Sequence, residues 1–133
     1  MNFRKGRNFL QPKPILSRNH GLGEMMRGMA DAIRPTVTEA ELAEYLPQVS
    51  QWQMVEQEGV KRLEHVFKFK DFAQALSFTN KVGALAEEEG HHPAILTEWG
   101  RVRVTWWTHK IHGLHRNDFV MAAKAERFCE FAT

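Results

Sequence analysis

The chain of 133 residues contains one cysteine, Cys129. That excludes an intramolecular disulfide and any multi-cysteine metal site, and it fits a reducing compartment. Cys129 lies in an apolar C-terminal stretch, where a thiol reads as a small core or interface residue rather than a nucleophile. No apolar run approaches the roughly 20 residues needed to cross a bilayer, so a soluble chain is expected. Large net charge is missing too, the formal value being +2. With 43% hydrophobic and 26% charged residues, the composition fits neither a disordered nor a fibrous protein. The length suits one domain with a modest core.

The small net charge conceals an uneven distribution. Residues 1–35 carry Arg4, Lys5, Arg7, Lys13, Arg18, Arg27 and Arg34 against only Glu24 and Asp31, leaving an acidic main body. This segment has no sustained hydrophobic period and holds Pro12, Pro14, Gly21, Gly23, Gly28 and Pro35. It reads as an appendage, either a flexible extension or a targeting segment. The expected location is cytoplasmic, or mitochondrial should residues 1–35 be a transit peptide. An acidic body without a nucleic-acid motif argues against direct nucleic-acid binding.

Residues 36–133 form the expected domain. Thr38-Glu39-Ala40-Glu41 has the form of a capping box and opens a short helix that Pro47 ends. Trp52 to Glu56 and Arg62 to Phe69 read as strands around a Glu58-Gly59 turn. Asp71 caps a long helix whose apolar stripe is read as Phe72, Ala75, Leu76, Thr79, Val82, Leu85 and Ala86. The helix ends at Glu89-Gly90, and Pro93 prevents its continuation. Ala94 to Trp99 and Arg101 to His109 read as two further strands, and Val102, Val104, Trp106 and Thr108 share the face toward the helices. A last helix runs from about Arg116 to Phe131. The expected class is α+β, order α-β-β-α-β-β-α, a four-stranded antiparallel sheet with three helices on one face. The other face must be solvated or covered by another subunit.

The histidines carry the chemistry. His91-His92-Pro93 sits in the break after the long helix, His109 at the end of the fourth strand, and Asp118 in the first turn of the last helix. Three imidazoles brought to one cleft suit either zinc binding or general acid–base work near neutral pH. Adjacent histidines make a poor metal pair because neighbouring side chains diverge, which favours proton transfer. Surface or capping histidines are the bland alternative.

The run Glu87, His91-His92-Pro93, Trp99, His109 and Asp118 resembles, in residue types and spacers, the signature of the pterin-4a-carbinolamine dehydratases. Trp52, Phe67 to Phe72, Thr108 and Gly113-Leu114 also match family positions, so the resemblance spans about Leu42 to Ala132. It implies a four-stranded antiparallel sheet with three helices, assembled as homodimers or homotetramers. It further implies dehydration of 4a-hydroxytetrahydrobiopterin to quinonoid dihydrobiopterin and water, which recycles the pterin of aromatic amino acid hydroxylases, with no metal and no cofactor. Some members also stabilise a transcription factor dimer, so a hydroxylase or transcription factor partner is an added expectation. On this reading His91, His92 and His109 are catalytic, and Trp52, Glu87, Pro93 and Asp118 bind or orient around the substrate. Glu87 could equally be a solvated carboxylate and Trp52 a core residue. Asp118 is first a favourable charge at a helix N-terminus, and second a partner for His109. Lys110, His112 and His115 depart from the family pattern, His115 standing where a capping hydroxyl is expected.

Overall fold

The computed structural model describes residue 15 and residues 36–130. Helix α1 (Glu39–Tyr45) leads through a 3-10 turn (Leu46–Val49) to strands β1 (Gln53–Gln57) and β2 (Val60–Lys68). Helix α2 (Phe72–Glu89) follows, then β3 (Ala94–Glu98), β4 (Arg101–Trp106), a second 3-10 turn (His109–Ile111) and helix α3 (Arg116–Glu130). The strands form one antiparallel sheet in the order β1-β2-β4-β3. The α+β class and the element order agree with the sequence reading.

Local chemistry explains the boundaries. The capping box is complete, since Glu41 N–H donates to Thr38 Oγ1 and Thr38 N–H donates to Glu41 Oε1. The α-helix stops at Tyr45, and Pro47 lies in the first turn of the 3-10 segment that follows. The β1–β2 hairpin turns on Glu58 and Gly59, both with positive φ (54° and 79°), the pairing that matches strand twist. Asp71 caps α2 by accepting from Gln74 N–H at 2.8 Å, and Gly90 ends it in the left-handed region.

Leu63 and Phe67 of β2 and Val102, Val104 and Trp106 of β4 are buried against Ala75, Phe78, Val82 and Ala86 of α2 and Phe119, Ala122 and Ala125 of α3. Each such large side chain contributes about 1.5–3 kcal/mol by leaving water. Helix α1 joins the same core through Tyr45, whose ring lies 5.2 Å from that of Phe119. Two members of the anticipated α2 stripe fall outside it: Phe72 is 46% exposed and Leu76 43%. The buried set, Ala75, Phe78, Val82, Leu85 and Ala86, is a narrower stripe, and at about 100° per residue Leu76 points roughly 130° from its centre. The fourth strand is also shorter than expected, ending at Trp106. His109 therefore opens the 3-10 turn beyond the sheet. The positive φ there belongs to His112 (53°). Gly113 answers a different need, because a Cβ on it would meet Thr36 Cγ2 at 2.5 Å.

One residue of the N-terminal segment takes part in the core. Ile15 is 2% exposed, its N–H donates to Gln48 Oε1, and its carbonyl accepts from Arg116. The segment read as an appendage thus has at least one anchored position.

His65 lies on the helix-facing side of β2, with its ring 4.5 Å from Phe67 and 5.6 Å from Trp52. Burial among these rings lowers its pKa below the ordinary 6.5, against opposing contributions from Glu126 and the Gln51 backbone. Above that value both folded and unfolded chains hold His65 neutral. As pH falls through it, the unfolded chain takes up a proton that the folded chain resists, so stability is lost toward acid. Urea midpoints taken between about pH 7.5 and 5.5 should fall further for the native protein than for His65→Gln. Equal slopes would show that His65 makes no such contribution.

Candidate active site

The break between α2 and β3 is four residues long, Gly90 to Pro93, and it sends its two imidazoles in different directions. His91 turns inward, its side chain 16% exposed, with Nε2 2.6 Å from Asp118 Oδ1. Its ring lies parallel to the Trp106 indole, 7° between planes and 5.6 Å between centroids. His92 turns outward and pairs with Glu87 through Nε2 and Oε2 at 2.6 Å, an exposed contact (59% and 79%). Pro93 completes the break before β3 begins at Ala94.

Asp118 is 0% exposed. Its Oδ2 accepts from the His115 N–H at 2.9 Å and from the Thr108 hydroxyl at 2.8 Å, while Oδ1 faces His91. A buried carboxylate is tolerable only when its lone pairs are occupied, and three segments supply the partners here. A carboxylate accepts, so the hydrogen-bond network places a proton on His91 Nε2 and leaves Nδ1 outside this contact. Asp118 lies in the first turn of α3, as its first reading requires, and the second reading gives it His109 as a partner. The structure gives it His91 instead, and reaches His109 only through the preceding residue, Thr108.

His109 is exposed and leans on Trp107, ring centroids 4.5 Å apart. The Arg62 guanidinium sits over the same indole at 4.0 Å. Trp52, expected as a stacking platform, is only 4% exposed and donates its indole N–H to Glu126 Oε1 at 3.0 Å. It is a core residue in this chain because α3 brings that carboxylate across. Trp99, in contrast, is 74% exposed at the β3–β4 turn. His115 takes over the capping duty of the missing hydroxyl, its Nδ1 accepting from the Asn117 N–H at 3.1 Å. Among the described residues, no three His, Cys, Asp or Glu side chains are grouped to hold a metal ion. A depression of about 470 Å³ along the outer side of α2, lined by Leu76, Ser77, Asn80 and Lys81 among others, contains none of these histidines. No helix of the described residues is long and apolar enough to cross a membrane.

Comparisons with known proteins show the family. Residues 35–128 match the family model of pterin 4 alpha carbinolamine dehydratase. The chain belongs to that family. A provisionally named pterin-4-alpha-carbinolamine dehydratase of Nitrosococcus oceani is 63% identical over 93 residues, covering 70% of this chain and 82% of the relative. Its counterpart in Marinobacter nauticus is 55% identical over 105 residues, covering 79% and 95%. The crystal structure of a transcriptional coactivator/pterin dehydratase from Brucella melitensis superposes with a TM-score of 0.65 at 35% identity, over 71% of this chain and 98% of that one. A pterin dehydratase-like RuBisCO assembly factor of the alpha-carboxysome shares the fold, at TM-score 0.51 and 24% identity. These pterin-4-alpha-carbinolamine dehydratase relatives are hydro-lyases by name, and this chain is an enzyme of that class.

Sequence reasoning missed the contacts that reach the His91–Asp118 pair: the Thr108 hydroxyl, the Trp106 ring and the His115 amide. The match of Thr108 to a family position beside His109 is the signal the sequence offers.

The two carboxylate–histidine pairs should differ sharply in structural value. Asp118→Ala orphans the buried His115 N–H and Thr108 hydroxyl, each costing about 1–3 kcal/mol, so a loss on the order of 3 kcal/mol is expected. Glu87→Gln breaks an exposed pair and should stay within about 0.5 kcal/mol. Urea unfolding of both variants checks the contrast; equal losses would contradict it.

Proposed function

We propose that the protein dehydrates 4a-hydroxytetrahydropterin by general acid–base catalysis, with His91 and His109 exchanging the protons and His92 orienting the pterin. The observation that carries this reading is the His91–Asp118 contact. A buried carboxylate holding one imidazole nitrogen fixes the tautomer and aims the other, as proton transfer requires. The reaction breaks the C4a–O bond. One proton goes to the departing hydroxyl to make water, and one leaves N5 as the new double bond forms. His109, exposed on its turn, is placed to exchange with solvent, whereas His91 is nearly enclosed. Proton transfer by these side chains alone accomplishes the elimination, so the reading assigns no metal and no cofactor.

The biological setting that suits this chemistry is recycling of tetrahydrobiopterin for an aromatic amino acid hydroxylase, in a homodimer or homotetramer. That the Brucella melitensis relative is a transcriptional coactivator as well as a pterin dehydratase by name also supports a protein partner. The open face of the sheet, away from the helices, is the surface available for it.

Freshly generated 4a-hydroxytetrahydropterin, followed by absorbance, tests the reading. His91→Ala and His109→Ala should each lower kcat by about 10²–10⁴. His92→Ala should act mainly on KM, and chelator should leave the rate unchanged. A well-folded native protein that fails to accelerate dehydration, or variants that retain full rate, would sink the proposal.

A further inference from the structure

The two histidines assigned to proton transfer lie on different segments, one just before β3 and one just after β4. Thr108 supplies a connection. It is the residue before His109, and its backbone closes the 108–113 loop by donating to Gly113 O at 2.8 Å and accepting from Gly113 N–H at 3.4 Å. Its hydroxyl leaves that loop and donates to Asp118 Oδ2 at 2.8 Å. The other oxygen of the same carboxylate holds His91. Asp118 is itself pinned by the His115 N–H at the start of α3. One carboxylate therefore clamps the His91 break with one oxygen and the His109 turn with the other.

We infer that Thr108 is a positioning residue, whose hydroxyl sets the placement of His109 relative to His91 through Asp118. This rests on the dehydratase reading given above. The residue type suits the task. A β-branched side chain is stiff at χ1, so its hydroxyl points in a fixed direction, and a hydrogen bond to a carboxylate is stronger and shorter than one between neutral groups. Thr108 donates no proton to substrate. Its effect runs through the geometry of groups that do, and misplacement by about 1 Å can cost on the order of 10² in rate.

The test compares Thr108→Val, which keeps shape and loses the donor, with Thr108→Ser, which keeps the donor. Thr108→Ala gives the same readings should the valine variant not fold. The donor-less variants should lose about 10- to 100-fold in kcat with KM changed by less than about threefold, and serine should restore the rate. Combined with Asp118→Asn, Thr108→Val should add less than about threefold to the loss of Asp118→Asn alone, because both act through one carboxylate. Full rate in the donor-less variants, or multiplicative losses in the double variant, would overturn the inference. A second reading is independent of activity: the proton on His91 Nε2, followed by nitrogen-edited NMR, should shift in Thr108→Val and return in Thr108→Ser. If the native protein proves inactive, the dehydratase reading fails, and this resonance still decides whether Thr108 reaches His91. An unmoved resonance would refute the link.

Discussion

A fully buried aspartate is an expensive component, because an ionised carboxylate in an apolar interior is unstable unless it is surrounded by donors. Asp118 is surrounded, and the way it is surrounded organises the site. His115, the residue before α3, supplies a backbone N–H, the segment after β4 supplies the Thr108 hydroxyl, and the break after α2 supplies His91. None of these donors neighbours another in sequence. Satisfying one carboxylate thus forces three segments to meet, and two of them bear the histidines to which proton transfer is assigned. Stability and function share the same few atoms.

The scaffold makes this convergence available. In an antiparallel sheet with β2 and β4 at its centre, the end of β4 and the start of β3 lie side by side, Ala94 pairing with Thr105. The segment preceding Ala94 and the segment following Trp106 therefore emerge at one end of the sheet. Helix α3 begins at that end and crosses behind the sheet, with Phe119, Ala122 and Ala125 buried. The Lys124–Glu89 ion pair at 3.1 Å joins it to the last turn of α2. Trp106 works on both sides of this division. It fills the core and also presents its ring to His91, so packing of the sheet and orientation of the imidazole are coupled.

How much of this was legible depended on how far each signal reaches along the chain. The Thr38–Glu41 box and the Asp71 cap were readable because donor and acceptor are three residues apart. The β4 face was readable because alternation at Val102, Val104 and Trp106 states it directly. The α2 stripe was mis-centred because both Phe72 and Leu76 are apolar, and only the facing sheet decides which residues turn inward. The sequence leaves Trp52 between a stacking platform and a core residue, and Asp118 between a helix N-terminal charge and a partner for His109, for a related reason. Glu126 is 74 residues from Trp52 and His91 is 27 residues from Asp118, and no local period records such pairs. Residue types named the candidate site; only the fold could name its contacts.

The two adjacent histidines show why contacts matter more than identity. His91 and His92 have the same side chain, and each pairs through Nε2 with a carboxylate at 2.6 Å. The environments differ. Around His92 the pair is open to water, where screening and side-chain freedom leave an ion pair worth about 0–1 kcal/mol. Such a contact orients a ring loosely, and a loosely held ring can adapt to a bound ligand. Around His91 the carboxylate is sealed, and the ring is also fixed from one face by Trp106. Little motion is left to it, so its free nitrogen is held in place before any substrate arrives. Preorganisation of this kind serves a group that transfers a proton more than a group that merely makes contact. The same dipeptide therefore supplies one sealed and one exposed imidazole, and the division of labour proposed for them follows from burial rather than from chemistry.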